Sequence, residues 1–93
     1  MTSDNRPELE RLRHAIDGVD ERLVRLLAER AATASSIGEE KRRLGIRVSD
    51  QDRETAVLER VTSMNPGPMS NQDLSRIYEA IIAACSRVQE TDA

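Results

Sequence analysis

The chain has 93 residues, 14 basic and 17 acidic side chains, a net charge of −3, one tyrosine and no phenylalanine or tryptophan. Such a length makes one small domain with a thin core of Leu, Ile, Val and Ala, a kind that oligomerisation commonly supports. The acidic balance argues against nucleic acid or an acidic membrane as the main partner, no apolar run approaches the roughly 20 residues of a membrane helix or a secretory leader, and the single Cys85 excludes an internal disulfide and suits a reducing, cytoplasmic setting.

Leu9, Leu12, Ile16, Val19, Leu23, Leu26, Arg30, Ile37 and Leu44 keep helical spacing. The spacing predicts a first helix over 6–43, with Pro7 in its first turn, Asn5 or Asp4 as a cap and Gly45 as its stop. Gly18 and Gly38 fall inside it, each costing about 1 kcal/mol relative to Ala, and close approach of another helix is a reason to keep them. A helix of this length spans about 57 Å. A compact chain of this size has a radius of gyration of only about 12 Å. The helix must protrude with its apolar stripe uncovered, which points to an intertwined homodimer.

Ser49 is positioned to cap a second helix over 50–64, and Asn65-Pro66-Gly67-Pro68 breaks the chain after it. Ser70 caps a third over 70–91, with Leu74, Ile77, Ile81, Ile82 and Val88 as apolar positions. Three helices and no strand pattern predict an all-α fold.

Each stripe turns polar at one end. In helix one the seven-residue series Leu9, Ile16, Leu23, Ile37, Leu44 is interrupted by Arg30, whose burial unpaired costs several kcal/mol. Lys41 points within about 20° of Arg30. In helix two Asp50, Arg53 and Glu54 share the face of Val57, Leu58 and Val61, and in helix three Leu74, Tyr78 and Ile81 run on into Cys85 and Gln89. If these ends meet, Arg30, Lys41, Arg53, Glu54 and Gln89 line one net-positive pocket, suited to a small dianion. Arg13 lies roughly 25 Å along the axis from Arg30 and could reach such a pocket only from an antiparallel partner helix.

Taken singly, most of these residues have plainer readings. Arg30 could pair with a protein carboxylate such as Glu54, and Arg13 with Asp17 on the surface. Asp50, Asp52 and Glu54 suit the positive end of helix two, and Lys41 the negative end of helix one. Cys85 reads as a small buried hydrophobe, Gln89 as a solvated residue near a chain end, and His14 as solvated with no role.

Taken together, Leu12-Arg13 with Ile16-Asp17 and Asp20, Leu26-Leu27-Ala28-Glu29-Arg30, Ile37-Gly38 with Lys41, Asp50 with Asp52-Arg53-Glu54, and Ile81-Ile82 through Gln89 resemble the all-helical class of chorismate mutases almost from end to end. The resemblance implies an intertwined helical dimer, the chain being one mutase domain, that isomerises chorismate to prephenate by an intramolecular Claisen rearrangement without metal or cofactor. It implies that Arg13 of the partner chain, Arg30 and Arg53 grip the substrate's two carboxylates. Lys41 and Gln89 would donate to the ether oxygen, and Glu54, helped by the Asp50 backbone N–H, would accept from the ring hydroxyl. Cys85 stands where family members often carry a serine that helps a carboxylate, and a thiol is a weaker donor. A mutase acting on 4-amino-4-deoxychorismate, an isochorismate pyruvate lyase, and a non-catalytic helical dimerisation or regulatory module remain alternatives.

Overall fold

A computed structural model describes residues 6–91, and among these the chain forms three α-helices and no strand. Helix α1 runs Pro7–Leu44, α2 Gln51–Ser63 and α3 Asn71–Thr91. The all-α expectation holds, with each helix boundary within a residue of its predicted place.

The helix ends follow from local chemistry. Pro7 opens α1, where its missing N–H is not needed, and Arg6 at the cap position makes no side-chain capping bond. Asn5 and Asp4, the expected caps, lie outside the described residues. Gly45 closes α1 at φ 70°, a left-handed conformation suited to glycine. There the Gly45 N–H donates to the Arg42 carbonyl and the Ile46 N–H to that of Lys41.

The expected cap of α2 is displaced by one residue. Asp50, not Ser49, takes the extended cap conformation, and its Oδ1 accepts from the Arg53 N–H at 3.0 Å. Its carboxylate also suits the positive end of the helix, where an ionised acceptor makes a stronger bond than a hydroxyl. Ser70 caps α3 as expected, its Oγ accepting from the Asp73 N–H at 3.1 Å.

Helix α3 packs against both α1 and α2, and α1 and α2 do not pack on each other. The core is correspondingly small: Ala34, Val57, Val61 and Cys85 are its buried apolar side chains among the described residues. Leu12, Ile16, Val19, Leu23, Val24, Leu26 and Leu27 of α1 are all exposed. The molecule measures 66 × 27 × 15 Å, with a radius of gyration of 18.1 Å against about 12 Å for a compact chain of this length.

Surface electrostatics add little. Hydrogen bonds from Arg11 to Glu8 and from Arg43 to Glu40 hold both carboxyls below their ordinary values, but the pairs are fully exposed and solvent screens them. No helix among the described residues is long and apolar enough to cross a membrane.

Candidate active site

The gap between α1 and α2, floored by α3, is a cavity of about 330 Å³. Helix α1 contributes Arg30, Thr33, Ala34 and Ile37, and α2 contributes Arg53, Glu54, Val57 and Arg60. Helix α3 contributes Tyr78, Ile82, Cys85, Ser86 and Gln89. Within each helix these residues recur every three or four positions, as one face of a helix must. Three guanidinium groups oppose the single carboxylate of Glu54, so the wall is net positive.

The plainer reading of Arg30, an ion pair with Glu54, is not what the structure holds. Among the described residues neither Arg30 nor Arg53 forms a salt bridge, and the ion pairs present are Glu8–Arg11, Glu10–Arg13 and Glu40–Arg43. Arg30 is half-buried and its guanidinium lies over the Tyr78 ring, 5.9 Å from the centroid. Arg30 and Arg53 thus face a cavity wide enough for a small ligand without being held in an ion pair among the described residues.

Gln89 is held from two sides. Its backbone lies against Gly38, where an added Cβ would sit 3.0 Å from the Gln89 carbonyl oxygen and 3.1 Å from its Cα. The Arg42 Nη1 donates to the same carbonyl at 2.7 Å, serving an oxygen that the last turn of α3 would otherwise leave without a helical donor. The side-chain Oε1 of Gln89 is buried with no hydrogen-bond partner among the described residues. A buried acceptor in this state carries a desolvation cost that a donor would relieve.

Close approach therefore explains Gly38. At Gly18, by contrast, an added methyl group would meet nothing within 4 Å among the described residues. Gly38→Ala is expected to lower the thermal midpoint, because overpacking against backbone, at about 1–3 kcal/mol, outweighs the roughly 1 kcal/mol gain in helix propensity. Thermal unfolding followed by circular dichroism at fixed chain concentration measures this, and a raised midpoint would mean that α3 yields easily.

Of the residues singled out from sequence, Arg30, Arg53, Glu54, Cys85 and Gln89 meet at the cavity, and three do not. The Lys41 ammonium instead donates to the Val48 carbonyl at 2.8 Å, tying the end of α1 to the following loop. The Asp50 side chain caps α2. Arg13 is exposed on the free part of α1 and pairs with Glu10 at 3.0 Å, one turn before it, rather than with Asp17.

Sequence reasoning passed over Arg60, Thr33 and Ser86. Arg60 had a usable signal, since Arg53, Val57 and Arg60 form one i, i+4, i+7 face. Tyr78 was legible only as part of an apolar stripe. Among the described residues no group of three or more His, Cys, Asp or Glu side chains is placed to hold a metal ion.

Comparisons with known proteins agree with this arrangement of helices. A family model described as chorismate mutase type II matches residues 12–90. The bifunctional chorismate mutase/prephenate dehydratase of Neisseria gonorrhoeae is 38% identical over 77 residues, which are 83% of this chain and 21% of that protein. The bifunctional enzyme of the same description from Aquifex aeolicus is 36% identical over 87 residues, 89% of this chain and 24% of that one. The chain thus spans about a fifth to a quarter of the length of these curated relatives. The form II structure of chorismate mutase from Thermus thermophilus superposes with a TM-score of 0.87 at 30% identity, covering 89% of this chain and 94% of that one.

Proposed function

The chain belongs to the type II chorismate mutase family, and we propose that, as one mutase domain paired with a second copy of itself, it converts chorismate to prephenate. One observation carries this reading above the rest. Arg30 and Arg53 face a cavity of about 330 Å³ with no carboxylate partner among the described residues, as a site for a dianion requires.

The reaction is an intramolecular Claisen rearrangement in which the ether C–O bond breaks as a C–C bond forms. It needs no nucleophile. Its barrier falls when the substrate is held with its enolpyruvyl side chain over the ring, and when donors meet the negative charge that grows on the ether oxygen. Arg30, Arg53 and the partner's Arg13 hold the two carboxylates. Gln89 and Lys41 donate to the ether oxygen, Lys41 on leaving the Val48 carbonyl. Glu54 accepts from the ring hydroxyl, with the Asp50 N–H beside it, and Cys85 lends a weak thiol donor near a carboxylate.

Surface area supports the dimer. The chain exposes 7325 Å², whereas a compact monomer of 10.4 kDa exposes about 5,400 Å². The excess, roughly 1,900 Å² per chain, is of the size that obligate dimers bury. The exposed apolar side chains of α1, from Leu12 to Leu27 on the part that carries Arg13, offer a surface for such a pair. We place the enzyme in the cytoplasm, the reducing compartment that suits the free thiol of Cys85, without nucleic acid or membrane partners.

Chorismate depletion with product identification, run beside 4-amino-4-deoxychorismate and isochorismate, tests the reading. Prephenate is the expected main product. A tenfold or greater preference for the amino substrate, pyruvate release from isochorismate outpacing prephenate formation, or no turnover by a pure folded dimer would each overturn it.

The assigned role of Gln89 has its own pH signature. In Gln89→Glu only the protonated acid can donate to the ether oxygen, so kcat/KM is expected to rise as pH falls through the carboxyl's titration. A flat kcat/KM profile for this variant from pH 4 to 8 would remove Gln89 from the ether oxygen.

A further inference from the structure

We propose that Tyr78 is the positioning residue for Arg30, its ring electrostatically holding the guanidinium that the mutase reading assigns to a substrate carboxylate. The inference rests on that reading. Three observations support it. The chain has a single aromatic residue, and that residue lies beneath the half-buried arginine of the cavity. The guanidinium carbon is 5.9 Å from the ring centroid, within the roughly 6 Å over which a ring quadrupole attracts a cation. Arg30 forms no salt bridge among the described residues, and the contact the structure does give its guanidinium is with the Tyr78 ring.

Tyr78 separates the site cavity from a second, apolar cavity at the α2–α3 turn, lined in part by Val61, Leu74 and Met69. An aromatic face differs from a carboxylate in a way that matters here. It orients the cation without neutralising it, so the full positive charge remains available to an incoming dianion. Glutamate in this position would pair with Arg30 and compete with the substrate.

The test is a series at position 78 that holds ring shape nearly constant and drains the ring of negative potential. Tyr78→Phe should keep kcat/KM on chorismate within about threefold, since the face and not the hydroxyl meets Arg30. Phenylalanines bearing one, two and three ring fluorines at position 78 should lower log kcat/KM stepwise, reaching a loss of about tenfold. The same series in the Arg30→Ala background should be flat, because the cation it acts on is gone. A flat series with Arg30 present, or an equal decline without it, overturns the proposal. If wild type makes no prephenate from chorismate, the function itself fails. If wild type is active and the fluorine series is flat, only the role of Tyr78 fails.

Discussion

Arg30→Ala is expected to lower kcat/KM for chorismate at least a hundredfold while moving the thermal midpoint down by no more than about 3 °C. The activity loss follows from bond strengths. A guanidinium gripping a carboxylate inside a closed site makes charge-assisted hydrogen bonds worth about 1.5–3 kcal/mol each, and two of them exceed the roughly 2.7 kcal/mol that a hundredfold change represents. The small stability effect follows from the absence of an ion pair. Arg30 has no carboxylate to abandon among the described residues, so truncation leaves no buried charge unpaired. Alanine is also the better helix former. Steady-state kinetics and thermal unfolding on the same preparation check both halves. A loss below threefold would take Arg30 out of the substrate site, and a large fall in midpoint would make it a structural residue.

Mixing Arg13→Ala and Arg30→Ala, each nearly inactive alone, is expected to restore about a quarter of wild-type activity once subunits have exchanged at random. In half of the resulting dimers the chains differ. There the site on the Arg13→Ala chain keeps its own Arg30 and receives an intact Arg13 from its neighbour, whereas the other site lacks both. The expectation rests on geometry. Arg13 and Arg30 lie on one unbroken helix, Pro7–Leu44, roughly 25 Å apart along its axis, so a single chain cannot bring them to one ligand. No recovery after exchange has been verified, by mass-tagged subunits for instance, would show that Arg13 does not act across the interface.

The fold was legible in the sequence because its signals are local. Pro7, Gly45, the Asn65–Pro68 breaker and Ser70 delimit helices whose apolar spacing is regular, and the structure follows them. The one-residue error at α2 came from two adjacent capping candidates. Ser49 and Asp50 are alike by preference, and only the path of the loop decides which side chain reaches the Arg53 N–H. The cavity residues Arg30, Arg53, Glu54, Cys85 and Gln89 were legible as polar intrusions into apolar faces. Lys41 was placed by helical angle and by the family resemblance, and a flexible four-carbon stem lets its ammonium turn from that direction to the Val48 carbonyl in this structure. The contact of Gly38 with the Gln89 backbone was foreshadowed only in kind. A glycine inside a helix signals close approach, and nothing in a sequence says which residue approaches.

Four buried apolar side chains among the described residues make a thin core, and under the proposed pairing that bears on kinetics more than on architecture. In the proposed pair most of the stabilising surface forms only when two chains meet, so folding and association become one second-order event. Refolding then speeds up with protein concentration, and partners trade places only as fast as the pair comes undone. Mixed pairs are therefore best made by refolding the two variants together. On dilution, catalysis per chain is expected to fade with the dissociation of the proposed pair, so that abundance would act as its own threshold.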